Sequence, residues 1–360
     1  MRVAVALSGG VDSLRAAALL RHQGHEIIAL HMQLLPESAK RYRDADLSGR
    51  TRERSLRTLT AKLDIPLYIV DLRDAFGRLV IEPFVASYRQ GLTPNPCTVC
   101  NPRIKFGLLL DEARKLGAER LATGHYARLQ APDERHSRFR LKRGIDPAKD
   151  QSYFLYGLTQ DQLAATLFPL GKAHKHAVQH WAQDNGYADQ IPEESQEICF
   201  IPEGHYRGFL KEHLGPGFED QQGEIVDLGG TVLGRHEGVC AYTIGQRRGL
   251  GIASSAPYYV VRLEPETHRV VVGRPADLYR QELIATEVNW LSIYPPSRPL
   301  RCQVRIRNQH RPASAGLTPD GDGAVRLRFD EPQRAITPGQ AAVFYDGDVV
   351  LGGGIIAREP

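Results

Sequence analysis

A chain of 360 residues exceeds what one hydrophobic core usually spans, so two or three domains are expected. With 42% hydrophobic and 24% charged residues it has an ordinary globular composition, and no apolar run approaches a membrane span, so no membrane partner is expected. A net charge of +4 permits a nucleic-acid partner without arguing for one, and any basic footprint has to be local.

The chain enters a buried strand at residues 3–7, too short and too soon punctuated for a secretory signal. Five cysteines, an odd and sparse set, argue against a disulfide framework and for a reducing, cytoplasmic setting. A helix rich in Ala and Leu is expected over 12–22 and a strand over 27–32. Residues 37–57 are charged and weakly patterned and read as a mobile loop, although Leu56, Leu59 and Leu63 mark one helix face. A strand at 68–70, a helix at 103–116 closed by Gly117, and a strand at 121–123 follow. This alternation predicts a doubly wound parallel α/β sheet, with ligands at the carboxyl ends of its strands. From Gly204 onward glycines and short alternating segments dominate, apart from a helix at 207–213. The last eighty or so residues alternate as Cys302-Gln303-Val304-Arg305-Ile306-Arg307 does, which predicts a small β-barrel or sandwich, the barrel being the fold expected. The division expected is 1–202 for the α/β domain, 203–278 for a small central domain and 279–360 for the barrel.

Ser8-Gly9-Gly10-Val11-Asp12-Ser13 falls between the first strand and the first helix. Its glycines allow a sharp turn with N–H groups close to a phosphate, and the helix adds unpaired donors and its dipole. Ser8 and Ser13 can donate hydroxyls, and Asp12 is placed to hold Mg²⁺. A plain strand-to-helix turn is the alternative, against which strand, loop and helix agree in register. The loop lacks the Gly-Lys-Ser/Thr of a Walker A motif. It resembles the pyrophosphate loop (PP-loop) of the N-type ATP pyrophosphatases, which cleave ATP between the α and β phosphates and adenylate an oxygen of their substrate.

Cys97 and Cys100 stand in the proline-stiffened run Pro94-Asn95-Pro96-Cys97-Thr98-Val99-Cys100-Asn101. Placed before a helix, they would have thiolates favoured by its N-terminal donors. Cys199, in Ile198-Cys199-Phe200, fits a reactive thiol and a buried apolar residue equally well. Cys240 and Cys302 read as buried small hydrophobes. Arg305 and Arg307, with Arg326 and Arg328 on a second strand, make a stripe suited either to phosphates or to solvent.

The run Pro-Asn-Pro-x-x-x-Cys-Asn resembles the bacterial tRNA-specific 2-thiouridylase family. So do Ile104-Lys105-Phe106, Ala122-Thr123-Gly124-His125-Tyr126, Lys149-Asp150-Gln151-Ser152-Tyr153, Ile198-Cys199-Phe200, Tyr242-Thr243-Ile244-Gly245-Gln246-Arg247-Arg248-Gly249 and Pro338-Gly339-Gln340. The resemblance implies that ATP adenylates the C2 oxygen of the wobble uridine of tRNAs for Lys, Glu and Gln. Cys199 would carry sulfur from a donor protein as a persulfide, and Cys100 would free that sulfur or form a transient disulfide with Cys199. It implies nucleotide contacts at Ala6, Leu7, Ser8, Gly9, Gly10, Val11, Asp12, Ser13, Met32 and Gly124. It implies tRNA contacts at Asn95, Pro96, Cys97, His125, Lys149, Asp150, Gln151, Arg305, Ile306 and Gln340, with the uridine flipped toward residues 95–97. His125 is read as a base contact or a structural residue.

One departure stands out: the family's Pro-Asn-Pro-Asp segment has Cys97 here in place of aspartate. Cys97, Cys100 and Cys199 then make a candidate ligand set for a [4Fe-4S] cluster with one open iron, a second route for sulfur, supplied as sulfide. A ligase or amidotransferase acting on a small substrate is the alternative enzyme. A non-catalytic tRNA-binding or iron–sulfur carrier protein is the alternative outside enzymes.

Overall fold

The computed structural model describes residues 1–35, 49–188, 198–201, 206–215, 222–321 and 323–358. Strands β1 (Arg2–Ala6), β2 (Glu26–Gln33), β3 (Leu67–Asp71) and β4 (Arg120–Ala122) belong to the first sheet. A hairpin of β5 (Ala127–Gln130) and β6 (Arg140–Arg143) follows before β7 (Thr166–Leu167). The sheet runs β3-β2-β1-β4-β7, and every pairing in it is parallel.

Alternate side chains of these strands enter different cores, as a sheet buried on both faces requires. Val3, Val5, Ile27 and Ala29 pack with Leu14, Ala17 and Leu20 of α1 (Val11–His22) and with Leu56 and Leu59 of α2 (Gly49–Lys62). Ala4, Ala6, Ile28 and Leu30 pack on the other face, in a larger core. That core takes in residues from α3 (Arg73–Phe76), α4 (Glu82–Arg89), α5 (Pro96–Cys100) and α6 (Leu109–Lys115). The expected doubly wound sheet is therefore present. The loop expected over 37–57 is corrected where it is described: α2 begins at Gly49, because burying Leu56 and Leu59 outweighs weak local patterning. Residues 37–48 lie outside the described residues.

The helix expected at 103–116 is part of a longer helical segment. Between α5 and α6 the turns over Asn101–Leu108 are π-helical, and a Cβ on Gly107 would stand 2.9 Å from the Pro102 carbonyl oxygen. Wide turns of this kind are rare and gather at functional sites. Farther on come α7 (Gln160–Ala164), opened by a Thr159–Gln162 capping box, α8 (Lys175–Asp184) and α9 (Tyr206–Leu214).

The central part is a four-stranded sheet of β8 (Gly223–Val226), β9 (Val232–His236), β10 (Tyr259–Glu264) and β11 (Arg269–Gly273), ordered β10-β11-β8-β9. The C-terminal part contains β12 (Tyr279–Trp290), β13 (Leu300–Arg305), β14 (Ala313–Pro319), β15 (Val325–Arg334), β16 (Ala341–Asp346) and β17 (Val349–Ile356). These six antiparallel strands run β12-β15-β14-β13-β16-β17 and close through a β12–β17 pairing, which removes free edges. Cys302, Val304, Leu317, Leu327 and Phe329 fill the interior. The hairpin β5–β6 of the first body adds to this sheet, with Lys142 opposite Val349 and an Arg128–Asp348 ion pair at 2.6 Å. The barrel is thus pinned to the α/β body at the side where the site lies.

Candidate active site

The turn after β1 is held by its own side chains. The Ser8 amide donates to the Ser13 hydroxyl (3.2 Å), and that hydroxyl donates to the Gly10 carbonyl (3.0 Å). Gly9 has φ +85°, a conformation glycine enters without a Cβ penalty. Gly10 caps α1 with no side-chain partner for the helix, so the first-turn amides stay directed at the space above the loop. The helix α2 covers the turn: Leu56 lies against Gly9, and the Arg52 guanidinium donates to the Ser8 carbonyl at 2.7 Å. Sequence reasoning missed Arg52 because it read that stretch as a loop.

Asp12 differs from expectation. Its carboxylate accepts from the Lys175 ammonium at 2.7 and 2.8 Å and from the Tyr126 hydroxyl at 2.8 Å. As placed, both oxygens are taken by the protein's own donors, so the residue does not fit the part of an open Mg²⁺ ligand. Gly124, expected near the adenosine, packs so closely on α1 that a Cβ there would stand 2.8 Å from the Asp12 carbonyl carbon and the Ser13 nitrogen. Met32 sits near the carboxyl end of β2, where the neighbouring His31 imidazole bonds the Leu7 carbonyl at 2.8 Å.

The segment 123–126 after β4 joins the Ser8–Ser13 turn to the wide helical turns that follow the cysteines. Tyr126 reaches Asp12, while His125 packs between Phe106 and Phe168, with Thr123 Oγ1 2.7 Å from its Nδ1. Burial, helped by the Lys105 charge, holds the His125 imidazole well below its ordinary value. It is neutral at working pH, which suits a base contact or a structural residue rather than a cation.

Cys97 and Cys100 lie within α5, not before a helix. Asn95 caps that helix, its Oδ1 accepting from the Cys97 amide at 3.1 Å, and Pro96 occupies the first turn. The expectation of lowered thiol pKa values is corrected. Burial pushes the Cys97 thiol up to about 11 and Cys100 up to about 12, against a smaller opposing pull from Lys105. Charge on Cys199 would raise both further, so the three thiols and Lys105 share one electrostatic neighbourhood. Cys199 itself is exposed. Its neighbour Phe200 is buried edge-on against Phe76 and Phe84, with ring centroids 5.6 and 5.3 Å apart, and so tethers the exposed thiol. Among the described residues no three His, Cys, Asp or Glu side chains come together as a metal-binding group. As arranged, the three thiols do not form a ligand set for a cluster. Cys240 and Cys302 are buried.

These shifts carry a sign. A thiol whose folded pKa exceeds its unfolded value contributes stability that is complete below pH 9 and is lost as pH rises toward 11–12. The urea midpoint is expected to fall between pH 9 and 11, and less steeply in the Cys97→Ala variant. Equal slopes for the two proteins would contradict this account.

The residues expected to meet RNA divide in two. Asn95, Cys97 and Lys149 keep partial exposure, whereas Pro96, Asp150, Arg305 and Ile306 are buried. For Arg305 the phosphate-facing expectation is corrected. Arg305 Nη1 bonds Asp150 Oδ2 at 2.8 Å with side chains only 11% and 4% exposed, and it faces the rings of Tyr153 and Tyr345. Asp150 also accepts from the amides of Gly144 and Ser152. Ile306 enters the barrel core. Gln151 pairs with the Tyr126 backbone in both directions, and Gln340 donates to the Thr93 carbonyl at 2.7 Å, bracing the cysteine-bearing loop. On the exposed stripe, Arg326 and Arg328 are answered by Asp320 and Glu282, and Arg307 bonds the Arg334 carbonyl.

A parallel sheet that delivers a Ser-Gly-Gly-Val-Asp-Ser turn into a helix, beside a group of thiols, defines a PP-loop protein of the HUP-domain class. Residues 1–203 match the family described as the tRNA methyl transferase HUP domain. Residues 207–274 match its PRC-barrel domain, and 280–356 match the aminomethyltransferase beta-barrel domain. The tRNA-specific 2-thiouridylase MnmA of Solibacter usitatus is 46% identical over 368 residues, covering 98% of both chains. That of Gloeothece citriformis is 46% identical over 358 residues, covering 99% of both. The chain belongs to the tRNA-specific 2-thiouridylase family.

Proposed function

We propose that this protein is a tRNA 2-thiouridylase, which uses ATP to replace the C2 oxygen of a wobble uridine by sulfur, releasing AMP and pyrophosphate. The observation that carries the reading is the segment 123–126, which ties the nucleotide loop through Asp12 to the neighbourhood of Cys97, Cys100 and Cys199. Likeness to full-length thiouridylases supports sulfur transfer over the methyl transfer mentioned in the domain descriptions.

ATP binds over Ser8 to Ser13, where amides and hydroxyls meet its phosphates. Adenylation turns the C2 oxygen into a leaving group. The terminal sulfur of a Cys199 persulfide attacks C2, and AMP departs with the oxygen. The Cys100 thiol then loses its proton and attacks Cys199 Sγ. The electron pair of the old S–S bond passes to the sulfur on C2, leaving 2-thiouridine and a Cys100–Cys199 disulfide that an external thiol reduces. Burial keeps Cys100 protonated until it is needed, which protects it from premature oxidation. Asn95, Pro96 and Cys97 border the base pocket, and Lys149 supplies an outer contact to tRNA. Asp150, Gln151, Arg305 and Gln340 act one layer behind, by fixing the loops. The tRNAs for Lys, Glu and Gln are the substrates, and a persulfide-bearing protein is the donor.

The test is pyrophosphate release with purified protein, ATP and unmodified tRNA. Release that depends on tRNA is expected, and its absence under both aerobic and anaerobic conditions overturns the reading. Cys97→Ala should retain thiolation with a persulfide donor; abolition, together with iron in anaerobically purified protein, would replace the relay by the cluster route.

A further inference from the structure

Lys175 is the first residue of α8, and only 6% of it is exposed. Two physical costs attach to that position. A buried ammonium loses its hydration, and a cation in the first turn faces the positive end of the helix dipole. The first turn of α8 carries no acid that would offset the second cost, although Asp146 accepts from the Lys175 amide at 2.9 Å. The compensation comes from another element: both oxygens of Asp12 lie within 2.8 Å of Nζ, and the Tyr126 ring stands 5.9 Å away. Asp12 in turn is the second residue of α1, inside the loop whose donors are meant for phosphates. An uncompensated carboxylate there would repel a polyphosphate at close range.

We propose that Lys175 is a positioning residue for the triphosphate. It cancels the charge of Asp12 and fixes its side chain, so that the loop amides and the α1 terminus meet the pyrophosphate portion of ATP without a bare anion beside them. This rests on the nucleotide reading given above. The effect is specific to the β and γ phosphates, because AMP lacks the groups that Asp12 would repel.

Calorimetric titration of the full chain with ATP, and separately with AMP, tests this without tRNA. Lys175→Met is expected to weaken ATP by about tenfold or more, the effect of one unmasked carboxylate beside the polyphosphate, while AMP affinity stays within about twofold. Adding Asp12→Asn to Lys175→Met should restore most of the ATP affinity, because the repelling charge is gone. Lys175→Arg, which keeps the charge, should bind ATP nearly as wild type does; compared with Lys175→Gln, it answers the question if the methionine variant melts early. Unchanged ATP affinity in Lys175→Met, equal losses for ATP and AMP, or no restoration in the double variant each overturn the proposal. A wild-type protein that binds no ATP overturns the nucleotide reading itself.

Discussion

Cys199→Ala is expected to lower 2-thiouridine formation by at least about 1,000-fold, the scale seen when a covalent nucleophile is removed, while tRNA-dependent pyrophosphate release continues. The separation follows from the geometry. Cys199 is exposed and tethered by Phe200 in an aromatic cluster, whereas the nucleotide loop is built from β1, α1 and the 123–126 segment. Alanine removes the sulfur carrier and leaves Phe200 in place, so the fold and the adenylation step persist. Cys100→Ala should also stop turnover, but only after the attack at C2, so that tRNA stays joined to Cys199 through a disulfide to the C2 sulfur, an adduct visible by mass spectrometry of the intact protein. Loss of pyrophosphate release in Cys199→Ala, with normal thermal stability, would show that the thiol serves adenylation instead.

The second large effect concerns stability. Arg305→Ala and Asp150→Ala should each cost about 3–5 kcal/mol, the usual consequence of leaving one member of a buried ion pair alone. Arg305 also loses its contacts with the faces of Tyr153 and Tyr345. Both variants should unfold at clearly lower denaturant concentration, and both should raise the KM for tRNA more than that for ATP, because the pair joins the barrel to the 145–152 segment. The aspartate variant decides between explanations, since a carboxylate has no business binding phosphate. If Asp150→Ala were as stable as wild type while Arg305→Ala lost only RNA affinity, Arg305 would be a direct phosphate contact and the joint described above would be wrong.

The contrast between Arg305 and Arg326 shows where reading along the chain stops. Both alternate with apolar residues in the same pattern, and in a flat sheet both would face water. In the closed barrel, part of the outer face is covered by the α/β body, so Arg305 meets Asp150 while Arg326 meets Asp320 at the surface. Strand alternation reports which side of a strand a residue takes, not what lies against that side. Helix α2 shows the same limit: Leu56 and Leu59 carried the pattern, but only packing over the loop extended the helix back to Gly49.

The sequence by itself determined the parallel α/β sheet, the all-β end of the chain and the glycine turn at Ser8 to Ser13 between the first strand and the first helix. Each is marked by local periodicity or by a short run of glycines and hydroxyls, which makes it legible along the chain although the strand pairings themselves are long-range. The tertiary structure alone decided the charge state around that turn and around the thiols. Lys175 stands 163 positions from Asp12, and Arg305 stands 155 from Asp150. Burial set by the whole core, rather than the donors of one helix, pushes Cys97 and Cys100 upward. Desolvation and long-range pairing depend on what the folded chain brings together, and no window along the sequence contains both partners.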